Sequence, residues 1–293
     1  MVEVMVITIY LMDVRNIQIP NLQLDSTQYL SKMFELSLTQ LKGYLKIEGL
    51  PAPPLDINPP KSQVILKDFI GRVIEELTEG YESTSEVVNL MKEVGWNVYI
   101  LPNYKDLLNH LQNANEEQAD AIGFFITLLL YSNIMPEDIY EYVSLNLEEE
   151  VNTLDELMSY GVKILYEIDS THIGATGYGL FNENLANYFD INYQKVCSYT
   201  PGFHSISEQT HDVEAILLWQ VTYQINIARN LLKNRPWKQT QVMSKELDYQ
   251  EAVVRALLMY LGFLAINGFT PSSLFELFYR KQQLNLWRQN SGY

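Results

Sequence analysis

Residues 69–83 have the sequence FIGRVIEELTEGYES, in which apolar residues recur at steps of three and four positions. This spacing is typical of an α-helix with one apolar face. Glu76 and Glu79 are three residues apart, so at helical pitch they lie on one side of the helix, beside the apolar stripe. The stretch therefore predicts a helix that carries a pair of carboxylates next to its buried face.

A second stretch, EQADAIGFFITLLL at residues 117–130, repeats this arrangement with Glu117 and Asp120. An apolar run follows Asp120 directly, so the helix should be largely buried, and a charged group carried there must be paired or bound to a cation. Two helices packed with these faces together would bring four carboxylates into one site. Their mutual repulsion would require compensation by divalent cations. A solvated acidic face is the alternative interpretation of each pair.

The ligand types narrow the predicted metal. Oxygen ligands without a Cys or His cluster favour Mg²⁺, which Mn²⁺ can replace, over Zn²⁺. The four histidines show no ligand spacing. Mg²⁺ shares its coordination shell with substrate phosphates, and a water that it activates can attack phosphorus. The sequence thus predicts a metal site of two or more ions formed by Glu76, Glu79, Glu117 and Asp120, with one carboxylate as general base.

Composition argues against several classes of protein. Of the 293 residues, 47% are hydrophobic, which is enough for a large core, and the net charge of -16 argues against a protein that coats DNA or RNA. The single cysteine, Cys197, cannot form an internal disulfide, and we interpret it as an inert thiol in a reducing compartment. The apolar run from Ala121 to Tyr131 is too short for a membrane span. We expect a cytoplasmic protein without a membrane or nucleic-acid polymer as partner.

Helical periodicity covers most of the chain and predicts an all-α, multi-helix bundle with a short strand at residues 2–10. We predict a metal-binding helical half at residues 1–150, an irregular connection at 151–205 and a second helical half at 206–293, together one catalytic unit. The prolines of PAPPLDINPPKS, residues 51–62, predict a surface connection. The predicted helices cover residues 27–47, 63–83, 85–94, 104–133 or 115–133, 207–232, 248–265 and 272–289.

Two segments of the chain resemble each other. NIMPEDIYEYV and FTPSSLFELF align on Pro136 and Pro271, an offset of 271 − 136 = 135 residues, and each proline follows a long apolar helix. The same offset places Ala252 and Arg255 opposite the carboxylates of the second acidic stretch. A duplication in which only the first copy kept its metal ligands is one interpretation. A chance likeness of two helix–turn–helix units is the other.

Basic residues gather in the second half of this acidic chain. The segment ARNLLKNRPWKQT contains Arg229, Lys233, Arg235 and Lys238 near the predicted end of a helix. The helix dipole stabilises cations at this place, which is one explanation of the segment. A clamp on the phosphates of a nucleotide is the other. Trp237 beside them would then stack on a base or, alternatively, cap the core.

At the end of the chain, Lys281, Asn285 and Arg288 follow one another at helical steps of four and three. This spacing puts two cations and an amide on one face of a predicted amphipathic helix. Such a face can contact phosphates. The sequence therefore predicts a second group of substrate-binding side chains here.

In these motifs the chain resembles the all-α NTP pyrophosphatase superfamily (MazG-like) and, within it, the dimeric dUTPase family. Gly123 stands where the family's ExxDxxHF helix has histidine. The residues that match the family's ExxExxxS and ExxDxxHF helices are Glu76, Glu79 and Ser83 in the first, and Glu117, Asp120 and Phe124 in the second. The residues that follow its tail, YxxKNxLNxFRQxxGY, with two conservative departures, are Phe278, Lys281, Gln282, Leu284, Asn285, Arg288, Gln289, Gly292 and Tyr293.

This resemblance implies an Mg²⁺-dependent hydrolysis of a deoxynucleoside triphosphate, foremost of dUTP to dUMP and diphosphate, by a homodimer. It implies that the four carboxylates bind the metal, that Glu76 orients the water, and that Lys281, Asn285 and Arg288 contact the phosphates. Alternatives are the same chemistry on dCTP or a purine nucleotide, and a non-catalytic relative that binds nucleotides or a protein. A monomer is the alternative to the dimer if the repeat is a true duplication.

The residues that would recognise the base are the least defined by the resemblance. Ser37 and Gln40 occupy the place of the family's early Gln/Asn motif without a clean match. Gln220, Gln224 and Asn226 form a similar amide cluster in the second half. We therefore predict base contacts from this second cluster and from Trp237.

Overall fold

The computed structural model describes residues 24–93, 104–172, 208–240 and 242–291, together with Ile17 and Ile19. Within these residues the chain forms eight α-helices and no strand, which confirms the prediction of an all-α fold. The predicted strand at residues 2–10 and Cys197 lie outside the described residues. The helices are α1 Tyr29–Glu48, α2 Pro60–Glu93, α3 Tyr104–Tyr131, α4 Pro136–Leu147, α5 Leu154–His172, α6 Glu208–Leu231, α7 Glu246–Ile266 and α8 Pro271–Ser291.

Helix α2 is longer than predicted. It runs unbroken for 34 residues, so the two helices expected at residues 63–83 and 85–94 are one. It also begins inside the proline-rich segment, at Pro60. Proline is tolerated in the first turn of a helix because the N–H that it lacks has no intrahelical partner there. The prediction of a connection through residue 62 is therefore wrong for its last three residues.

The prediction of an irregular connection at residues 151–205 is wrong for residues 154–172, which form α5. Leu154, Leu157, Met158 and Leu165 are buried along one side of this helix, which packs against α7. Leu157 and Met158 follow Leu154 by three and four residues, and Leu165 follows Met158 by seven, which is helical periodicity.

Two glycines allow α5 and α7 to touch backbone to backbone. A Cβ atom on Gly161 would lie 1.9 Å from the carbonyl oxygen of Leu258, and one on Gly262 would lie 2.3 Å from the carbonyl carbon of Gly161. No side chain fits at such distances. The absence of a side chain at Gly161 and at Gly262 therefore allows the two helices to approach closely. This contact fixes α5 on the central helix.

Helix α7 is the centre of the core, with α5 and α6 packed along it. Among the described helices it alone is, as a single helix, long and apolar enough to cross a membrane. The apolar window is 72% buried within the fold. A helix that is apolar over most of its surface is expected at such a central position.

The remaining helices surround the predicted metal ligands. Helix α2 packs along α3, while α1 and α8 pack against each other and against α3. The hydroxyl of Tyr260 on α7 donates to the backbone oxygen of Gln118 at 3.1 Å, which ties α3 to the core helix. The face of α3 that carries its carboxylates is thereby held between α2 and α8.

The two turns of the predicted repeat have the same geometry. Ile134 N–H donates to Leu129 O at 3.0 Å, and Phe269 N–H, 135 residues later, donates to Leu264 O at 3.0 Å. Asn133 and Gly268 adopt the left-handed conformation at equivalent places, with φ of 56° and 84°. Such helix ends are common. The duplication therefore stays a prediction, and Arg255 hydrogen-bonds to Tyr142, not to the carboxylates.

Candidate active site

Three of the four predicted metal ligands converge between α2 and α3. Glu76 and Glu79 of α2 and Glu117 of α3 each present a carboxylate oxygen, and the three oxygens lie within 4.8 Å of one another. The three-residue spacing on α2 places both of its carboxylates toward α3 because the two helices pack side by side. We call these three residues the carboxylate cluster.

Asp120 lies next to the cluster but is engaged with α8. Lys281 Nζ is 3.0 Å from its Oδ2, and Asn285 Nδ2 donates to its Oδ1 at 3.4 Å. Lys281 also lies 3.1 Å from Glu116 Oε2, and its side chain is 6% exposed. Lys281 was predicted to contact phosphates. In this structure it is instead the buried counter-ion that holds Asp120 and Glu116.

Burial and mutual repulsion raise the pKa values of Glu76 and Glu117. The pKa of Glu76 is raised to about 9, first by burial, then by the charge of Asp120 and by a hydrogen bond with Glu117. Burial also raises the pKa of Glu117 and that of Asp120, against the opposing charge of Lys281. Without a cation, Glu76 therefore holds a proton at neutral pH, which it shares with Glu117.

This donor set fits a hard divalent cation. The cluster offers carboxylate oxygens alone, the ligands that Mg²⁺ and Mn²⁺ prefer. A divalent cation would also replace the proton that now relieves the repulsion within the cluster. Glu76, Glu79 and Glu117 would hold it, with Asp120 able to join them only by loosening its contact with Lys281.

A cavity of about 200 Å³ opens beside the cluster. Glu76 and Asp120 lie on its wall, together with Asn285 and Arg288 of the predicted phosphate-binding helix face. The cavity is enclosed by α1, α2, α3 and α8. Residues more than 240 positions apart in the sequence, from Ser37 to Arg288, thus line a single space.

Neutral polar side chains face the cavity from α1 and α8. Ser37, Gln40 and Gln282 line it and are buried. Ser37 Oγ and Gln282 Oε1 have no hydrogen-bond partner among the described residues, although each side chain belongs to a residue only 2% exposed. Buried polar atoms ordinarily have partners. The two atoms therefore indicate a place for a polar ligand.

An aromatic wall completes the cavity. Phe69 and Phe124 line it with ring centroids 6.4 Å apart, and the Arg72 guanidinium lies 5.1 and 5.8 Å from the two centroids. Glu48 holds Arg72 through bonds of 2.8 and 3.2 Å. A planar heterocycle can stack on such a wall. The contribution of Phe69, Arg72 and Gln282 to the cavity could not be predicted from local sequence, because it depends on how the helices pack.

Gly123 and Gln282 fit together on the cavity wall. A Cβ atom on Gly123 would lie 3.3 Å from Gln282 Nε2. The Gln282 side chain therefore occupies space that a side chain at position 123 would need. Glycine at position 123 thus leaves room for the Gln282 amide.

The amide cluster predicted to contact the base does not line this cavity. Gln224 Nε2 donates to Ala252 O at 3.5 Å, and Asn226 Nδ2 donates to Thr222 O at 2.8 Å. Gln220 is buried on the same helix, α6, which packs against α7 and α2. Gln224 therefore serves helix packing and Asn226 its own helix, and contact of this cluster with a base stays a prediction.

The predicted phosphate clamp is also elsewhere. Lys233, Arg235, Lys238 and Trp237 do not line the cavity. The three cations instead surround Lys67 on α2. Lys67 precedes Glu76 by nine residues, or about two and a half helical turns, so the two side chains project from opposite sides of α2. A ligand bound beside the carboxylate cluster cannot reach this segment directly.

Comparison of the chain with protein-family models, curated proteins and solved structures gives no match.

We expect Lys281→Met to lower the free energy of unfolding by about 3 kcal/mol, because Asp120 and Glu116 would lose their buried counter-ion. The loss should shrink as the pH falls, since protonated Asp120 needs no partner. Adding Asp120→Asn should recover much of it. Urea unfolding of both single variants and the double variant at pH 5 and pH 8 measures this coupling. Lys32→Met, which removes an exposed pair with Glu35, is the control and should cost less than about 1 kcal/mol.

Additive losses in the double variant, or a Lys281→Met variant as stable as the Lys32→Met control, would contradict the assignment of Lys281 as counter-ion.

Proposed function

We propose that this chain is an Mg²⁺-dependent pyrophosphohydrolase of deoxynucleoside triphosphates, foremost of dUTP, which it hydrolyses to dUMP and diphosphate. The observation that carries the proposal is that Glu76, a member of the carboxylate cluster, lines the same cavity as Ser37 and Gln282, which carry unpartnered buried polar atoms. A metal site beside a pocket for a planar polar group suits a substrate with phosphates at one end and a base at the other. The resemblance to the dimeric dUTPase family agrees with this arrangement.

The side chains divide into three roles. Glu76, Glu79 and Glu117, with Asp120 beside them, would hold the cations, which neutralise the phosphates and lower the pKa of a bound water when present. Asn285 and Arg288 contribute an amide and a cation on the same wall and would orient the phosphates. The base would enter the part of the cavity formed by α1, α2 and α8.

Glu76 is the proposed general base because it lines the cavity and belongs to the carboxylate cluster. In its ionised form it would accept a proton from the attacking water. The water oxygen then bonds to the α-phosphorus, and the bond from that phosphorus to the oxygen bridging toward the β-phosphorus breaks. Diphosphate leaves, and the proton remains on Glu76 until solvent removes it.

Two substrates are proposed as alternatives to dUTP, namely dCTP and a purine deoxynucleoside triphosphate, which differ from it in the nucleotide base. Ser37 can donate or accept a hydrogen bond, and the amides of Gln40 and Gln282 can do both. Uracil and cytosine exchange donor and acceptor at two adjacent positions, N3 and the group on C4, and an amide can match either pair by rotating. Specificity for the nucleotide base therefore depends on how each side-chain amide is held. Gln289 Nε2 donates to the backbone oxygen of Gln40 at 3.4 Å and so does not orient the Gln40 side chain.

The decisive experiment measures diphosphate release from a panel of deoxynucleoside triphosphates with Mg²⁺, with Mn²⁺ and with EDTA. We expect turnover to depend on the metal, because the carboxylate cluster needs a cation to bind triphosphate. From the resemblance to the dimeric dUTPase family, we expect the highest turnover for dUTP. Highest turnover of dCTP or a purine nucleotide would keep the chemistry and change the base. No turnover of any nucleotide would refute the enzyme.

A non-catalytic relative that binds nucleotides or a protein is the second candidate. This candidate is favoured by the ion pair of Lys281 with Asp120, because the paired carboxylate is one of the four predicted metal ligands. Calorimetric titration with Mg²⁺ and a non-hydrolysable dUTP analogue separates the two candidates. Metal-dependent nucleotide binding without turnover supports the nucleotide-binding relative, and no binding supports the protein-binding one.

A further inference from the structure

The basic segment predicted as a phosphate clamp forms a surface of its own. Residues 232–245 connect α6 to α7, and we call them the basic loop. Trp237 is 76% exposed near its tip. The Arg235 guanidinium lies 5.9 Å from the Trp237 ring centroid. An indole exposed to this extent, beside a cation, is available for stacking with a ligand.

Buried hydrogen bonds pin both ends of the basic loop to the start of α2. Asn234 N–H donates to Gln63 Oε1 at 2.7 Å, and Gln63 Nε2 donates to Ser244 Oγ at 2.7 Å. Asn234 Oδ1 accepts from Val242 N–H at 2.8 Å, which closes the neck of the loop. Asn58 joins the same network through Ser244 N–H at 2.8 Å. The neck of the loop is thus fixed on the fold, while Trp237 near its tip is exposed; we call this arrangement the platform.

Five cations meet at this platform. Lys67 of α2 is 8% exposed and donates to the backbone oxygen of Leu232, without an acidic partner. Its pKa is lowered to about 8, first by burial and then by the charges of the surrounding cations, which are Arg235, Arg229, Lys233 and Lys238. Lys238 aside, none of the five forms an ion pair with a carboxylate in the described part of the chain.

The helix dipole does not account for this arrangement. Cations near the end of α6 are favoured by its dipole, which covers Arg229 and Lys233. Lys67 belongs to a different helix, and Arg235 and Lys238 lie beyond the end of α6. Lys67, Arg229, Lys233 and Arg235, a fifth of the 20 Lys and Arg residues of a chain with net charge -16, therefore gather at one place without a carboxylate partner among the described residues. An anion bound there would relieve their repulsion.

We propose that the basic loop and Lys67 form a second binding site for nucleotide phosphates, separate from the carboxylate cluster, with Trp237 stacking on the base. Aromatic rings between cations bind nucleotides because every base has a π-face and every phosphate a charge. The excess negative charge elsewhere does not prevent this, since charges beyond about 8 Å are screened at physiological salt. The source of the phosphates is a free nucleotide or a single-stranded nucleic acid.

Fluorescence anisotropy in EDTA tests the proposal, because the metal-dependent cavity cannot contribute without cations. The probes are a labelled ten-nucleotide deoxythymidine strand and a fluorescent nucleoside triphosphate. We expect Arg235→Gln with Lys238→Gln to weaken binding at least about tenfold and, for the strand, to reduce the salt slope by about 1.4, or 0.7 per cation removed. Trp237→Ala should weaken binding about tenfold with an unchanged salt slope.

The matched control is Lys32→Gln with Lys163→Gln, two exposed lysines on α1 and α5. It should bind like the native chain. Binding of the strand or of the free nucleotide, lost only in the loop variants, supports the proposal and identifies the source. The proposal is overturned if neither probe binds, if the loop and control variants bind equally, or if the loop binds anionic phosphatidylserine vesicles and not nucleotides. Diphosphate release should be the same in the loop and control variants.

Discussion

Replacing Glu76 by glutamine is expected to reduce diphosphate release about a thousandfold while it stabilises the metal-free protein. The loss follows because glutamine can neither accept the proton of the attacking water nor supply an anionic metal ligand. The gain follows because the folded protein holds Glu76 with a pKa of about 9, far above the 4.5 of an exposed glutamate. A neutral amide at this position does not carry the free-energy cost of ionising a buried carboxyl group.

The direction of the pH dependence follows from the same pKa. Between about pH 4.5 and pH 9 the folded state retains the proton of Glu76 and the unfolded state releases it, so this group's contribution to stability declines as the pH rises. In EDTA the stability advantage of Glu76→Gln should therefore grow from pH 5 to pH 9. We expect about 1–2 kcal/mol at pH 8, less than the full shift implies, because solvent reaches the cluster.

Thermal unfolding with and without Mg²⁺ measures both effects. Mg²⁺ should raise the melting temperature of the native chain and have little effect on Glu76→Gln. Glu75→Gln is the control, because this neighbouring glutamate is exposed and lies outside the carboxylate cluster. Native turnover in Glu76→Gln would remove Glu76 as the base. An equal response of both variants to Mg²⁺ would remove it as a metal ligand.

Replacing Gly161 by alanine is expected to cost about 3 kcal/mol or more of unfolding free energy. The new methyl group would lie 1.9 Å from Leu258 O, a backbone atom that cannot move without shifting α7. Because α7 is the centre of the core, the shift would spread to α6. Gly262→Ala, at the same crossing, should have a similar effect.

Gly71→Ala provides the matched control, since no atom lies within 4 Å of the position that its Cβ would take. Alanine favours the helical backbone, so this variant should gain up to about 1 kcal/mol. Urea unfolding followed by circular dichroism compares the three. If Gly161→Ala is not recovered folded, the more conservative comparison is the yield and melting temperature of Gly262→Ala. Stability equal to that of Gly71→Ala in both would contradict the close crossing of α5 and α7.

Local periodicity was sufficient to predict most helices and which carboxylates share one face of a helix. The spacing of Glu76 and Glu79 requires that both lie on one side of α2, whatever the rest of the chain does. Apolar runs around Asp120 indicate burial for the same reason. These features depend on residues within two turns of each other. The helix α5 carried an equally local signal, which the prediction overlooked.

The cavity and the basic loop could not be predicted in this way, because each combines residues distant in sequence. Whether Lys233, Arg235 and Lys238 meet the substrate or the back of α2 depends on how α6 packs. Lys281 illustrates the same limit, since its helical spacing with Asn285 and Arg288 is local but its pairing with Asp120 is tertiary. The chain's own pattern thus establishes an all-α protein with an acidic helix pair. Packing alone assigns the cavity to one side of α2 and the cations to the other, because contacts between distant segments have no periodicity to reveal them.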